Sequence, residues 1–130
     1  MKKAYPVIFT PAAEGGFTSY MPDFEINSQG DDLAEAIENA RDAMGIIGID
    51  REDDGKALPE PSESVEHEPG EIVSWVDVDF TEYRRQNDMR TVRRNVSLPS
   101  WLNTEAEKAG LNVSAVLQNA LKQELGVEKV

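Results

Sequence analysis

Cysteine is absent from the 130 residues, and histidine occurs once. The absence of cysteine excludes disulfides and thiolate zinc sites. His67 lies between two glutamates in a polar segment, a setting typical of a solvated side chain rather than a metal ligand or a catalytic base. No apolar run approaches the roughly 20 residues that span a bilayer, which excludes a transmembrane helix. The first residues also lack the apolar stretch of a signal peptide, so we expect a cytoplasmic protein without a membrane partner.

Positive charge is scarce in most of the chain. The net charge is −12, but residues 1–80 hold 5 basic against 19 acidic side chains and residues 81–130 hold 8 against 6. Five of those basic side chains fall within eleven positions: Arg84, Arg85, Arg90, Arg93 and Arg94. An acidic body with a basic segment favours a basic partner for the body and a polyanion for the segment. The plainer alternative is that both charge groups are solvated and serve solubility.

The N-terminal half shows strand and helix periodicities in turn. Alternation predicts strands over about residues 4–10, 17–21 and 24–28, with Pro6 at an edge position. A helix follows, because apolar side chains recur at helical spacing on one stripe: Leu33, Ala36, Ile37, Ala40, Met44 and Ile47. Gly45 and Gly48 suggest that this helix frays or ends near them.

A long polar loop then precedes the strongest strand signal. Residues 51–70 are rich in Asp, Glu, Pro and Ser and predict little regular structure. Residues 71–80 predict a strand with Val73 and Trp75 on one side and Val76 on the other. We therefore predict an α+β protein with a β-β-β-α-β domain over 1–80, a polar basic linker over 81–90, and a second module over 91–126.

The sequence of the second module predicts one strand and two helices. Residues 93–98 alternate before Pro99, Ser100 suits the N-cap of a helix to about Ala109, and Asn112 suits the cap of a second helix that Gly126 ends. So few elements cannot close a core, and a lone strand leaves its backbone unpaired. Both problems vanish in a homodimer with a strand-on-strand ribbon and a shared apolar core of Val96, Leu98, Leu117 and Leu121.

Such a two-stranded ribbon fits the DNA major groove. Its outward face would present Arg93, Asn95 and Ser97 to base edges, since arginine pairs with guanine and asparagine with adenine. The backbone N–H groups of Val113 and Ser114 would begin the second helix, where phosphate binds readily. The alternative is an ordinary amphipathic strand with a solvated face.

The segment RNVSLPSWLNTEAEKAGLNVSAVLQNALKQEL resembles the ribbon-helix-helix DNA-binding proteins. One departure is Arg94, which stands at a core-facing position of the ribbon. We expect it to reach past the ribbon edge to a phosphate.

The whole chain carries a second resemblance, in the ordered pieces YPVIF, GGFTSYMPDF, QGDDLAEAIENA, LPEPSE and VDVDF followed by Tyr83. This set is similar to the HicB antitoxin family. The resemblance implies a partial RNase H-like N-terminal domain that blocks HicA, a small basic mRNA-cleaving toxin. It also implies a C-terminal module that represses its own operon by binding operator DNA. We expect a homodimer or a higher oligomer, and no cofactor.

Two other functions compete with the antitoxin interpretation. An RNase H-like domain could hold catalytic metal through Asp23, Glu35, Asp77 and Asp79, but acids are common in this chain and the domain is short for a nuclease, so we expect no enzyme. The second alternative is a stand-alone repressor without a toxin, which a neighbouring gene for a short basic protein would argue against.

Overall fold

The computed structural model describes residues 1–88 and 90–127. The chain divides into two compact units, with the boundary between Arg90 and Thr91. We call them the first and the second unit and describe each separately. Within the described ranges, no helix is both long enough and apolar enough to cross a membrane.

Four antiparallel strands form the sheet of the first unit. They are β1 (Lys2–Pro11), β2 (Phe17–Met21), β3 (Ile26–Gly30) and β4 (Ile72–Asp79), in the order β3-β2-β1-β4. The first strand is therefore internal, contrary to the edge position predicted from Pro6. Proline is tolerated there because β2 pairs only with residues 8–11 of β1, so at Pro6 the strand has β4 as its one neighbour.

A tight turn separates β2 from β3 and moves the third strand two residues beyond its predicted start. Glu25 adopts a left-handed backbone with φ of 55°, and its N–H donates to the Met21 carbonyl at 2.8 Å. The turn places Phe24 inside the core, where its ring meets Tyr5 edge-on at 4.8 Å between centroids. Phe24 is thus a core residue of a turn rather than the start of a strand.

Helix α1 (Leu33–Asp53) covers one face of this sheet. It begins with a reciprocal cap, because Asp32 accepts from the Glu35 N–H at 2.8 Å and Glu35 accepts from the Asp31 N–H at 2.9 Å. The predicted stripe is confirmed: Ala36, Ala40 and Met44 are fully buried, and the other three stripe residues pack around them. From the sheet, the core takes Tyr5, Val7, Phe9, Met21, Val76 and Val78.

The two glycines of α1 do not end the helix, as the sequence suggested, but receive a second helix. Helix α2 (Phe80–Asn87) lies against α1. A Cβ atom on Gly48 would fall 2.2 Å from the Phe80 ring, and one on Gly45 would fall 2.6 Å from the Tyr83 ring. Glycine is present at both positions because these aromatic rings approach the helix backbone closely.

Most of the segment predicted as a linker is thus a folded part of the first unit. Asp79 caps α2 by accepting from the Glu82 N–H at 3.1 Å. The Tyr83 hydroxyl donates to Asp42 at 2.8 Å, and burial together with this hydrogen bond raises the pKa of Tyr83 to about 12. The polar composition of residues 81–87 therefore reflects a helix that buries one side only.

The polar loop is confirmed, although it starts after Asp53 because α1 is longer than predicted. Residues 54–71, all of them described, contain no helix or strand. The loop is nevertheless attached to the core, since the Tyr5 hydroxyl donates to the Pro59 carbonyl at 2.9 Å and the Ser62 N–H donates to Asp23 at 3.0 Å. Burial, and then the nearby acidic side chains, raise the pKa of Tyr5 to about 12.

The second unit contains helices α3 (Ser100–Lys108) and α4 (Val113–Leu125). The N-cap of α3 is Pro99 rather than Ser100, and no side chain caps that end. Asn112 caps α4 as predicted, accepting from the Ala115 N–H at 3.1 Å. Gly126 ends α4 in the left-handed conformation, with φ of 71°.

Gly48→Ala tests the close packing of α2 on α1, because two effects of opposite sign on the free energy of unfolding compete at this position. Helix propensity alone would stabilise the helix by about 1 kcal/mol. Because Phe80 is fully buried and cannot move away, we expect instead a loss of about 1–3 kcal/mol in the free energy of unfolding, measured by urea denaturation. Asp50→Ala, on the exposed side of the same helix, is the control and is expected to stay within about 0.5 kcal/mol of the parent. A stabilised Gly48→Ala variant would contradict the close packing of α2.

Candidate functional site

The predicted base-contacting residues lie in an exposed segment without regular secondary structure. Residues 90–99 are all described. They form no helix or strand, and each of them is exposed. The strand expected over 93–98 is thus not formed in a single chain. A β-strand exists only when its backbone pairs with a neighbour, and no described residue offers one here. Arg93, Asn95 and Ser97 are accessible to a ligand. No β-ladder holds their side chains on one common face.

One groove of about 610 Å³ brings together part of the predicted site. It runs between the exposed segment and one side of α4, and the predicted residues that line it are Arg93, Arg94, Val96, Ser114, Leu117 and Leu121. The remaining predicted residues, Asn95, Ser97, Leu98 and Val113, lie outside the groove. Arginines from the segment therefore meet the first turn of α4, and apolar residues follow along the same helix.

The first turn of α4 keeps two backbone donors available. The Asn112 side chain accepts from Ala115 and its carbonyl accepts from Val116 at 3.0 Å. The N–H groups of Val113 and Ser114 have no acceptor among the described residues. Unpaired donors at a helix N-terminus attract anions, and the phosphate contact expected at these two residues stays a prediction.

The apolar residues predicted for a dimer core are not covered in the single chain. Val96, Leu98 and Leu121 are 55%, 37% and 60% exposed, and Leu117 is only partly buried. Neither α3 nor α4 contains a buried residue. The second unit therefore has no hydrophobic core within its described residues, in contrast to the first.

The cluster of five arginines divides at the boundary between the units. Arg84 contacts Glu52 at 3.4 Å, Asp53 at 3.0 Å and Asp88 at 3.5 Å, all within the first unit. Arg90 contacts Asp88 at 2.8 Å, and its hydrogen bonds hold the pKa of Asp88 well below the ordinary range. These arginines neutralise carboxylates of their own unit.

The basic segment available to a polyanion is consequently shorter than the sequence suggested. Arg85 also has a partner, Glu82 at 2.6 Å. Arg93 and Arg94 form no ion pair with any described residue. Residues 52–54, at the C-terminal end of α1, are all acidic, and this run is the sequence feature that could have indicated partners for Arg84 and Arg90. The pairing itself depends on the position of α2, which the sequence alone does not show.

Two of the four carboxylates considered for metal chemistry serve the local structure. Asp23 accepts from the Ser62 N–H and also from the Ser62 hydroxyl, which holds the long loop. Glu35 belongs to the cap of α1, where it accepts from Asp31. Both side chains have hydrogen-bonding roles that account for their positions.

The other two lie at one end of β4 and are also engaged. Asp77 pairs with Arg41 at 3.1 Å and with Lys2 at 3.4 Å, which lowers its pKa, and Asp79 caps α2. Among the described residues, no group of three or more histidine, aspartate or glutamate side chains is arranged to hold a metal ion. The structure thus does not assemble the four predicted carboxylates into a metal centre.

Sequence reasoning missed one exposed feature of the first unit. Trp75 and Tyr20 lie on the sheet face opposite to α1, and they are 51% and 38% exposed. The alternation of β4 did place Trp75 with Val73, away from Val76. The strand order, which brings Tyr20 to the same face, could not be read from either strand alone.

A family model described as a HicB-like antitoxin of bacterial toxin-antitoxin systems matches residues 5–120, a range that includes most of both units. Antitoxin HicB of Escherichia coli strain K12 is 38% identical over 65 residues, which cover 49% of this chain and 47% of that protein. The chain therefore spans about half the length of the curated relatives it matches.

Solved structures of similar architecture cover nearly the whole chain. A toxin-antitoxin complex from Streptococcus pneumoniae aligns with 95% of this chain and 99% of that chain, with a TM-score of 0.58 and 23% identity. The antitoxin HicB of Burkholderia pseudomallei aligns with 97% and 98%, with a TM-score of 0.53 and 22% identity. At these identities the likeness shows the fold, a mixed α+β architecture.

Proposed function

The chain belongs to the HicB-like antitoxin family, and from this premise we propose that its first unit neutralises a HicA-like toxin while its second unit represses transcription at operator DNA. The observation that carries this proposal is the division of charge between the units. The first unit holds 8 basic and 21 acidic side chains, a net of −13, and the second holds 5 and 4, a net of +1. Two surfaces of such different charge suit two different partners.

The acidic first unit suits a small basic toxin. It has its own hydrophobic core, and much of the positive charge near its C-terminal end is bound in internal ion pairs. Its net negative charge is therefore presented to the outside, where it would speed the encounter with a basic protein. We further propose that this β-β-β-α-β-α unit is a partial RNase H-like domain whose carboxylates have structural rather than catalytic roles.

The second unit suits operator DNA as a ribbon-helix-helix module. Its order of elements, an exposed segment followed by two helices, is the one that this module requires. Arg93, Asn95 and Ser97 would read base edges from a two-stranded ribbon. Arg94 and the N–H groups of Val113 and Ser114 would contact phosphates on either side, since two arginines and two free backbone donors lie near one helix end.

Dimerisation is part of this proposal because a single copy leaves the module without a core. A second copy would pair with residues 93–98 and cover Val96, Leu98, Leu117 and Leu121, which are exposed or only partly buried in one chain. Pairing satisfies the backbone and buries the apolar side chains in one step. A stand-alone repressor would use the same module, and the antitoxin function is favoured over it by the family match and by the acidic first unit.

The first test concerns neutralisation. Residues 1–90, which keep α2 and its ion pairs, are expected to relieve the growth arrest caused by the toxin encoded beside this chain when the two are co-expressed. The association rate of the purified pair is expected to fall as salt rises, because opposite charges steer the encounter. Residues 91–130 alone are the control. Relief of growth arrest only by fragments that contain residues 91–130 would refute this division of functions.

The second test concerns DNA readout. Asn95→Ala is expected to weaken specific operator binding by about 1–3 kcal/mol for each chain of the dimer, because each chain loses one bidentate base contact. A mobility-shift titration measures this effect. Asn103→Ala removes an exposed asparagine from α3 in the same unit and is expected to leave binding unchanged. Equal operator affinity of the Asn95 variant and the parent would exclude asparagine readout.

The third test concerns assembly. Leu98→Asp would place a charge in the dimer core and is expected to give monomers of the full chain in analytical ultracentrifugation. Ser97→Asp introduces the same charge on the opposite, outward side of the ribbon and is expected to leave the dimer intact. A Leu98→Asp variant that sediments as the parent does would show that this side chain lies outside the interface.

A further inference from the structure

An apolar patch lies on the sheet face of the first unit that is opposite to α1. Five residues form it, and we call it the Trp75 patch: Pro6, Ile8, Tyr20, Val73 and Trp75. The strand register makes it continuous, because Trp75 faces Pro6, Val73 faces Ile8, and Ile8 faces Tyr20 across neighbouring strands. Residues paired in this way share one side of the sheet.

The two aromatic side chains that flank the patch, on β4 and β2, are open to solvent. Trp75 is 51% exposed and Tyr20 is 38% exposed, whereas Ile8 and Val73 are half-buried and Pro6 is buried. Isolated apolar side chains are common on protein surfaces, but two exposed aromatic side chains joined through apolar neighbours are typical of an interaction site. Tryptophan and tyrosine also supply much of the binding energy where proteins meet.

The adjoining edge of the sheet is open at the same residues. The Arg41 Nε donates to the Asp77 carbonyl at 2.8 Å, so the backbone of Asp77 points away from β1. Backbone direction alternates along a strand, and Val73 and Trp75 therefore also present their N–H and C=O groups outward. β4 is the outermost strand of the sheet on this side. A partner could contact the Trp75 side chain and the strand edge together.

Acidic side chains border the patch along β4. Asp77 and Asp79 follow Trp75 on the same side of the strand, and Glu71 precedes Val73 and accepts from the Thr10 hydroxyl at 2.8 Å. Asp77 is partly neutralised by Arg41 and Lys2, but the unit as a whole carries −13. An apolar centre with a charged rim is the usual anatomy of a protein interface.

We propose that the Trp75 patch is the surface through which the first unit binds its basic toxin, an inference that rests on the proposed function. The acidic rim favours a basic partner. It disfavours a second copy of the same unit, because two copies joined here would bring Glu71, Asp77 and Asp79 against like charges. Trp75 fills a pocket on the toxin, and the rim carboxylates pair with toxin lysines or arginines around it.

The test compares the two tryptophans of the chain. Trp75→Ala in the full-length protein is expected to weaken toxin binding at least tenfold in calorimetric titration with the purified toxin. Trp101→Ala is the matched control, since Trp101 is 68% exposed and lies in the second unit. Circular dichroism and urea denaturation verify that both variants are folded. Should Trp75→Ala unfold the protein, the milder Tyr20→Ala variant gives the same comparison.

A fluorescence measurement makes the test independent of affinity. In a Trp101→Phe protein, Trp75 is the single tryptophan of this chain, and excess toxin is expected to protect it from acrylamide quenching. Undiminished affinity and unchanged quenching, with toxin still bound by the parent, would overturn the docking surface and leave the proposed function intact. A parent that does not bind the toxin at all would overturn both. A Trp75→Ala protein that loses self-association while retaining its toxin affinity would assign the patch to a second copy.

Discussion

The packing of Phe80 against the backbone of Gly48 determines much of what the first unit can present to partners. It places α2 beside the C-terminal half of α1, so that Arg84 reaches Glu52 and Asp53. Arg90 pairs with Asp53 as well, and with Asp88. Without this contact, Arg84 and Arg90 would lose their pairing with the carboxylates of α1. With it, both arginines are paired inside the first unit, and Arg93 and Arg94 are the arginines of the following segment that remain for a phosphate backbone.

Periodic patterns in the sequence predicted those helices and strands that bury one face and expose the other. The predictions of the apolar stripe of α1 and of the alternation of β4 were correct, because the residues of each element alone show which of its sides is buried. The predictions that failed concern contacts between distant elements. Gly45 and Gly48 look like helix ends until the rings of Tyr83 and Phe80 are placed over them. Residues 81–87 look like a linker because that helix exposes most of its surface, and Pro6 looks like an edge residue because the shortness of β2 relative to β1 is not visible locally.

The candidate DNA site was only partly predictable for a related reason. The cap at Asn112 and the free N–H groups after it follow from local sequence. The alternation of Arg93, Asn95 and Ser97 has no structural counterpart in one chain, because a ladder needs a second strand. On the proposed function, operator binding therefore depends on protein concentration, since the reading surface exists only in the dimer. Neutralisation by the first unit carries no such dependence, because its core is complete within one chain.

The exposed segment over residues 90–99 also affects the susceptibility of the protein to proteolysis. Proteases require extended, unpaired backbone, and this segment offers ten consecutive exposed residues in a single chain. Pairing into a ribbon would withdraw the same backbone from a protease active site. Cleavage would then act mainly on unassembled copies and would release an acidic fragment that keeps its core, separated from the module that recognises DNA. If the proposed dimer forms, the rate of proteolysis in this segment measures the fraction of chains that have not paired with a second copy.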